Sequence, residues 1–282
     1  MAIIGKLNKL KVIKQLNFGV YLDGEELGEI LMPGRYVPEN CKPDDMVEVF
    51  IYRDSEDCLI ATTEKPFAMV GDFALLQVAS VNAAGAFLDW GLPKELLVPF
   101  REQSIRMEEG NWYMVYIFLD AESNRIAASS KLNKFLDIIP RDYSIGQEVD
   151  LIICTQTEIG YKAIINNQHW GVLYKNEVMQ PLSKGEHVKG YIKKIRDDEK
   201  IDLSLYRLGY NKVDDITKKI VDVLEKHDGF IEITDKSPAE EIAQIFGVSK
   251  KAYKMAIGAL YKAKRISLEP NGIKTISDYK TN

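Results

Sequence analysis

The three histidines are the first residues to consider for catalysis. His169, His187 and His227 are scattered, and none lies beside a serine, cysteine or carboxylate at the spacing of a catalytic family. The chain has no glycine-rich phosphate loop and no pair of residues at metal-ligand spacing. We therefore expect no enzyme active site, no metal and no cofactor.

Aromatic and basic side chains offer a different chemistry, the binding of nucleic acid. A base stacked on an exposed ring gains ~1–3 kcal/mol whatever its identity. Phe18 and Tyr21 flank Gly19, which permits a bulge or bend that would bring both rings to one surface, and Phe87 lies in a similar phrase. The alternative is that Tyr21 and Phe87 are simply core residues.

A dense run of cations later in the chain could neutralise phosphates. It comprises Lys184, Lys189, Lys193, Lys194, Arg196 and Lys200. It follows His169, Trp170 and Tyr174, so possible stacking rings lie close by. Asp197, Asp198 and Glu199 interrupt the run, which leaves an ordinary solvated hairpin as the alternative.

These residues lie on a tandem repeat. Residues 5–63 and 71–129 align without a gap at an offset of 66, which places Gly19 on Gly85. A further offset of 75 places Gly85 on Gly160 and reveals a fainter third copy. Tandem modules predict an extended binding surface rather than one catalytic cleft.

Each copy predicts a small antiparallel barrel. Five short stretches rich in β-branched and aromatic residues, separated by turn residues, occupy about 60 residues. That is the size of an OB fold, a five-stranded barrel that binds oligonucleotides; an SH3-like barrel is the alternative. Asp54 and Asp120 precede the last strand of their copies, where aspartate favours turns.

The phrases at 18–22 and 85–88, with the closing segments at 47–63 and 113–129, resemble the S-one domain, an RNA-binding OB repeat. The resemblance implies that RNA crosses two aromatics on the second strand, a histidine on the third, and an aspartate and a basic residue at the last turn. Carried over, it gives the following set: Phe18, Tyr21 and Asp54 in copy one, Phe87, Asp120 and Arg125 in copy two, and Lys162 and Tyr174 in copy three. No copy is complete, because Met32 and Val98 stand at the histidine position and Ala84 at the first aromatic of copy two.

The segment after Tyr210 changes to a helical period. Its pattern predicts a helix with Ile216, Ile220, Val223 and Leu224 on one face, a short strand at 230–233, and a helix opened by a capping box at 237–240 and stopped by Gly247. Ser249 caps a third helix, 250–264, whose predicted apolar stripe includes Tyr261. A hairpin turned at Asn271-Gly272 completes a winged helix.

The third helix of a winged helix often enters a nucleic-acid groove. Here its start carries Lys250, Lys251 and Lys254, and Arg265 follows its end. We expect these four residues to contact RNA; the alternatives for this domain are DNA and a protein partner. Basic residues at a helix C-terminus also complement the helix dipole, so Arg265 has a structural reason to be there as well.

Net charge supports a binding surface in the second half of the chain. The total is −5, but residues 1–65 and 66–131 carry −4 and −3, whereas 132–210 are neutral and 211–282 carry +2. No apolar run is long enough for a membrane span, so we expect no membrane association. Three widely spaced cysteines without a CxxC pair favour a reducing, cytoplasmic location.

The predicted fold is therefore mainly β with a C-terminal α+β domain, made of three tandem five-stranded OB-fold barrels and a winged helix. We place the domains at 1–65, 66–131, 132–210 and 211–282, the third beginning with a connector, 131–147, that contains Leu136 to Pro140. The whole arrangement, with the segment at 237–266, resembles the bacterial conserved virulence factor B family of RNA-binding regulators. The resemblance implies cytoplasmic RNA binding with post-transcriptional regulatory consequences. From the residues and their charges we predict non-enzymatic binding of single-stranded RNA, mainly by the third barrel and the winged helix. The alternative is a scaffold that docks on a ribosome, nuclease or polymerase.

Overall fold

A computed structural model describes residues 1–137, 143–175, 178, 181–207 and 212–276, with the backbone alone for 212–215. The predicted boundary at 210 and the part of the predicted connector from Ile138 to Pro140 lie outside the described residues.

The first repeat is a closed five-stranded barrel. Its strands are β1 (Leu7–Leu16), β2 (Gly19–Asp23), β3 (Glu29–Pro33), β4 (Met46–Arg53) and β5 (Leu59–Thr62). They follow the order β1-β2-β3-β5-β4, and only β3 and β5 pair in parallel. Alternate side chains such as Leu10 and Val12 point into the barrel because strand residues alternate faces. This Greek-key order fits an OB fold.

The second and third repeats repeat this topology. Their strands are β6 (Phe73–Val81), β7 (Gly85–Asp89), β8 (Leu96–Pro99), β9 (Trp112–Leu119), β10 (Ile126–Ser129), β11 (Glu148–Gln156), β12 (Gly160–Ile165), β13 (His169–Tyr174), β14 (His187–Ile195) and β15 (Ile201–Ser204). The third repeat closes through a parallel pair, β13 with β15, whereas β8 and β10 form the two ends of the sheet in the fully described second repeat. Three five-stranded barrels, one of them nearly closed, confirm the predicted architecture.

The glycine that opens the second strand serves the same purpose in each repeat. A Cβ atom on Gly19, Gly85 or Gly160 would collide with a carbonyl oxygen of the third strand, so no larger residue fits. The bulge expected at Gly19 lies elsewhere. The pairing of β1 with β2 is interrupted between Val12 and Lys14, and Phe18 is in the tight turn before β2 because Leu16 pairs with Gly19.

The repeats share hydrophobic cores with their neighbours. Phe50 of the first repeat packs edge-on against Trp90 of the second, with ring centroids 5.7 Å apart. Between the second and third repeats, Phe135 of the connector stacks on Tyr116 at 4.1 Å, and buried Leu136 joins the same cluster. Burial of such large apolar side chains holds adjacent barrels together.

The C-terminal segment confirms the predicted winged helix. It comprises α1 (Lys212–Lys226), β16 (Phe230–Ile231), α2 (Ala239–Phe246), α3 (Lys250–Lys262), β17 (Ile266–Glu269) and β18 (Gly272–Thr275), with the sheet order β16-β18-β17. Tyr253, Ile257 and Leu260 of α3 pack into its core with Ile220 of α1. Ser249 caps α3 by accepting a hydrogen bond from the Ala252 N–H at 3.3 Å, as predicted.

Three local predictions in this domain are wrong. Ser237 does not cap α2, because its Oγ accepts a hydrogen bond from the Thr234 N–H at 3.0 Å and Pro238 takes the N-cap position. Tyr261 is not in the buried stripe; it is 56% exposed. The hairpin turns at 270–271, since Glu269 pairs with Gly272, which lies too close to the Ile231 carbonyl for any side chain.

Two negative findings apply to the described residues. None of their helices is long and apolar enough to cross a membrane. Within the same ranges, no three His, Cys, Asp or Glu side chains are grouped so that they could hold a metal ion.

Candidate nucleic-acid interface

Three strands in each repeat bring equivalent side chains to one surface. In the first repeat, Lys14 on β1 pairs across the strands with Tyr21 on β2. The Lys14 Nζ lies 4.4 Å from the centre of the Tyr21 ring and forms an ion pair with Glu29 on β3. Phe18 is 53% exposed and meets Tyr21 edge-on, with centroids 6.5 Å apart. The two rings therefore share one surface, as predicted, but through the tight turn rather than a bulge.

The second repeat keeps the acidic member of this group. Phe87 is half-buried and pairs with Ser80, whose Oγ donates to Glu95 at 3.1 Å. Phe87 and Arg125 line one depression of about 260 Å³. A carboxylate at this position would repel a phosphate that approached the ring.

The third repeat replaces that carboxylate with an aromatic ring. Lys162 stands where the other repeats have Tyr21 and Phe87, and Trp170 stands where they have Glu29 and Glu95. The Lys162 Nζ lies 3.8 Å from the centre of the Trp170 ring, within cation–π range. Burial lowers the pKa of Lys162. We call Lys162 and Trp170 the cation–aromatic pair.

This pair is suited to an anion with an aromatic base. It lines a depression of about 510 Å³ together with Asn133, His169 and Lys200. Asp198, also at this depression, is already paired with Lys200 at 2.7 Å. The cation can therefore meet a phosphate while the indole offers a surface to a base.

The sequence alone contains a signal for the replacement of the glutamate by Trp170. The same offsets of 66 and 75 that align the glycines place Glu29 on Glu95 and Glu95 on Trp170. Trp170, one of the possible stacking rings near the basic run, is half-buried and also donates from Nε1 to Asn133 Oδ1 at 2.8 Å.

Other predicted contacts in the third repeat have structural roles. His169 is only 6% exposed, and its Nδ1 lies 3.1 Å from the Tyr143 hydroxyl, so burial limits its use as a stacking surface. Tyr174 is half-buried and donates to Asp202 at 3.3 Å.

Several members of the predicted basic run are held in ion pairs. Arg196 lies 3.1 Å from Asp202, Lys200 is held by Asp198, and Lys189 is held by Asp150. Lys193 and Lys194 have exposed side chains on β14. The three ion pairs reduce the charge that this run of six cations offers to phosphate.

Arg125 is the predicted RNA contact whose position differs most from the expectation. Its guanidinium forms a bidentate ion pair with Asp57 of the first repeat, with Nε 2.6 Å from Oδ1. This pairing lowers the pKa of Asp57. Asp54 and Asp120 confirm the predicted turn role, since Asp54 accepts from the Cys58 N–H at 3.0 Å and Asp120 from the Ser123 N–H at 3.1 Å.

The winged helix presents an exposed basic face on α3. Lys251 is exposed, Lys254 pairs with Asp235 at 3.3 Å, and Lys250 donates to the Lys236 carbonyl at 3.1 Å. Exposed Tyr261 lies on the same helix, two turns from Lys254, where side chains share a face. Arg265 is exposed just beyond the helix.

Comparisons with known proteins agree with this domain organisation. Residues 4–64 match the S1 domain, the S-one domain of the resemblance above, and residues 218–274 match the CvfB-like winged helix domain. Conserved virulence factor B of Staphylococcus aureus strain USA300 is 28% identical over 243 residues, covering 82% of this chain and 81% of that protein. The same protein of the bovine strain RF122 matches to the same extent.

Solved structures include one that matches almost the whole chain. It is a multidomain protein with nucleic acid binding domains from Streptococcus pneumoniae, 21% identical, with 97% of this chain and 98% of that chain covered and a TM-score of 0.42. The two domain matches and the extended similarity to conserved virulence factor B confirm the resemblance drawn from the sequence: the chain carries an S1 domain and a CvfB-like winged helix.

Proposed function

We propose that the protein binds single-stranded RNA, mainly through the third repeat and the winged helix, and acts without catalysis in post-transcriptional regulation. The observation that carries the proposal is the cation–aromatic pair, Lys162 with Trp170, at a site where the other repeats carry a glutamate. The domain types, S1 and winged helix, are those of nucleic-acid-binding proteins. We propose a cytoplasmic location, in keeping with three free cysteines.

The chemistry of the pair favours a single strand with little sequence preference. Bases of a single strand are free to stack on an indole, whereas those of a duplex are already stacked. Every base has a flat face, so stacking alone distinguishes poorly between sequences. Lys162 adds a phosphate contact, so affinity should fall as salt is added. The salt slope, the decrease in the logarithm of the binding constant per unit increase in the logarithm of the salt concentration, should be about 0.7 per neutralised phosphate.

The winged helix supplies the second part of the proposed interface. Lys251, Lys254 and Tyr261 place two cations and a ring on the exposed side of α3. Lys254 is partly neutralised by Asp235, so Lys251 is the cation on which we place most weight. The domain could read RNA or DNA, and a competition between the two in one assay decides between them.

The test uses full-length protein, because truncation after the second repeat would expose Phe73 and Met114, which pack against the third. Fluorescence anisotropy with a labelled single-stranded RNA would compare wild type with Trp170→Ala, Lys162→Gln and, as the matched control, Tyr21→Ala. We expect the first two to lose about 1–3 kcal/mol of binding free energy and Tyr21→Ala to lose much less. Equal losses at all three positions would contradict the assignment to the third repeat.

A docking scaffold is the second candidate, and one cleft favours it. Between the second and third repeats lies a depression of about 890 Å³ edged by Phe67 and Trp112, which are 70% and 55% exposed. Asp72 and Asp89 also line it, so its chemistry differs from that of an RNA site. A scaffold that docks through the winged helix instead is tested by replacing Lys250, Lys251 and Lys254 by glutamate; it predicts unchanged RNA affinity and loss of a protein partner.

A further inference from the structure

Trp170 belongs to two depressions, which meet at the junction of the second and third repeats. One is the depression of the cation–aromatic pair; the other, about 350 Å³, is lined by Ser104, Ser130, Lys131 and Lys134. Asn133 also lines both, and it accepts the hydrogen bond from the Trp170 indole at 2.8 Å. The surface is therefore continuous from the third repeat onto the connector.

The connector is held in place by the cores on either side. Phe135 stacks on Tyr116 and lies 5.5 Å from Phe118 of the second repeat. Leu136 is buried in one cluster with Ile152 and Ile164 of the third. A ligand that spans both repeats would find them already aligned, and preorganisation of this kind lowers the entropic cost of binding.

The junction adjoins the depression of the second repeat that contains Phe87. Lys131 donates from Nζ to the Arg101 carbonyl at 2.6 Å, and Lys134 contacts the Glu102 carboxylate at 2.8 Å. Arg101 and Glu102 in turn line the depression that contains Phe87. Lys131 makes no salt bridge to a carboxylate among the described residues, so its charge is available to a ligand.

The charges along this surface suit an anionic ligand. Eight lysines and arginines and six carboxylates line the three depressions. Arg125 is already paired with Asp57, which leaves a small excess of cations in a chain of net charge −5. The other cleft between these repeats has the opposite balance, with Lys184 against Asp72, Asp89 and Asp150. A polyanion would therefore follow the first surface rather than the second.

We propose that one RNA strand, bound at the cation–aromatic pair, continues past Trp170 and over Lys131 to Arg101 and Phe87 of the second repeat. This rests on the proposed RNA binding and adds its path. The second repeat then acts as an extension of the third, despite its glutamate and its acidic composition, and Lys131 is the residue that connects them.

The experiment compares short and long RNA on the full-length protein. Labelled oligouridylates of about 5 and about 16 nucleotides bracket the span of one OB fold, and each is titrated at several salt concentrations. We expect Lys131→Gln to bind the long oligomer several-fold more weakly, with a salt slope smaller by about 0.7, and to leave the short one unchanged. Lys189→Gln is the control, because Lys189 is paired with Asp150 and lines none of the three depressions.

Arg101→Gln is the second variant, since the exposed guanidinium can be removed without disturbing a core. We expect the same selective loss for the long oligomer. Equal affinity of wild type for both oligomers, or equal losses for both with Lys131→Gln and Arg101→Gln, would overturn the path while leaving RNA binding intact. If neither oligomer binds, the proposed function itself is overturned, and the path with it.

Discussion

Arg125 of the second repeat and Asp57 of the first form a bidentate ion pair that joins two barrels. Lys94 reinforces this contact by donating from Nζ to the Arg53 carbonyl at 2.8 Å. Parallel hydrogen bonds between guanidinium and carboxylate favour one relative geometry. The pair therefore adds to the shared core around Phe50 and Trp90 in orienting the first two repeats, and it occupies the charge of Arg125, a residue predicted from sequence to contact RNA.

Reversing one charge of this pair should destabilise the contact. We expect Arg125→Asp to lower the melting temperature of the full-length protein, because two carboxylates would then face each other. The double variant Arg125→Asp with Asp57→Arg should recover most of the loss. Thermal unfolding followed by circular dichroism measures both, and failure of the double variant to recover would argue against a direct interaction.

The same pair predicts a dependence of stability on pH. Since Arg125 lowers the pKa of Asp57, the pair stabilises the fold above the ordinary aspartate pKa and loses that contribution as the pH falls through the lowered value. The difference in melting temperature between wild type and Arg125→Ala should therefore be largest near neutrality and shrink in acid. A difference that stays constant down to the acid limit of the fold would contradict this.

Glu29 should restrain RNA binding by the first repeat. It holds Lys14, whose Nζ lies above the half-buried Tyr21 ring, in an ion pair. We expect Glu29→Gln to raise RNA affinity and to steepen the salt slope by about 0.7, because Lys14 becomes available to a phosphate. Glu39→Gln removes the same charge from an exposed position of that repeat and serves as the control. Equal gains from the two variants would show only an effect of net charge.

As the pH rises, affinity for RNA should begin to fall at a lower pH than that at which an ordinary lysine loses its proton. Burial lowers the pKa of Lys162, so its protonated form, the one that attracts phosphate, is lost as the pH rises toward that value. The stability of the free protein changes in the opposite direction. Protonated Lys162 lowers the stability of the fold, and this cost declines as the pH rises from the lowered pKa and is gone above the ordinary lysine pKa. Titration with a 2′-O-methyl oligonucleotide, which resists alkaline cleavage, should show an early loss in wild type that Lys162→Gln lacks.

Two serines of the winged helix should differ in their effect on stability. Ser249 caps α3, so Ser249→Ala should cost about 1 kcal/mol. Ser237 precedes α2 but makes no cap, and Ser237→Ala should cost less. Urea unfolding followed by a probe of this domain measures both. A larger loss at Ser237 would mean that its turn hydrogen bond to Thr234 is the more important contact.

The repeated fold follows from local sequence because its requirements are local. A glycine at 19, 85 and 160 is needed wherever the second strand touches the third, and alternation of apolar residues selects the barrel face. The end of α2 and the start of α3 were similarly clear, since Gly247 adopts the left-handed conformation and Ser249 caps the next helix. Such signals depend on neighbours in the chain, so a single sequence contains them.

The functional surface depends on contacts between distant residues, and only the tertiary structure decided it. Arg125 meets Asp57 68 residues away, and burial beside Tyr143 removes His169 from the surface. The charge of a side chain does not say which carboxylate lies opposite it, because that depends on how barrels pack. For the same physical reason, Trp170 could be aligned with Glu29 and Glu95 from sequence, yet its contact with Lys162 and its place at the junction required the fold.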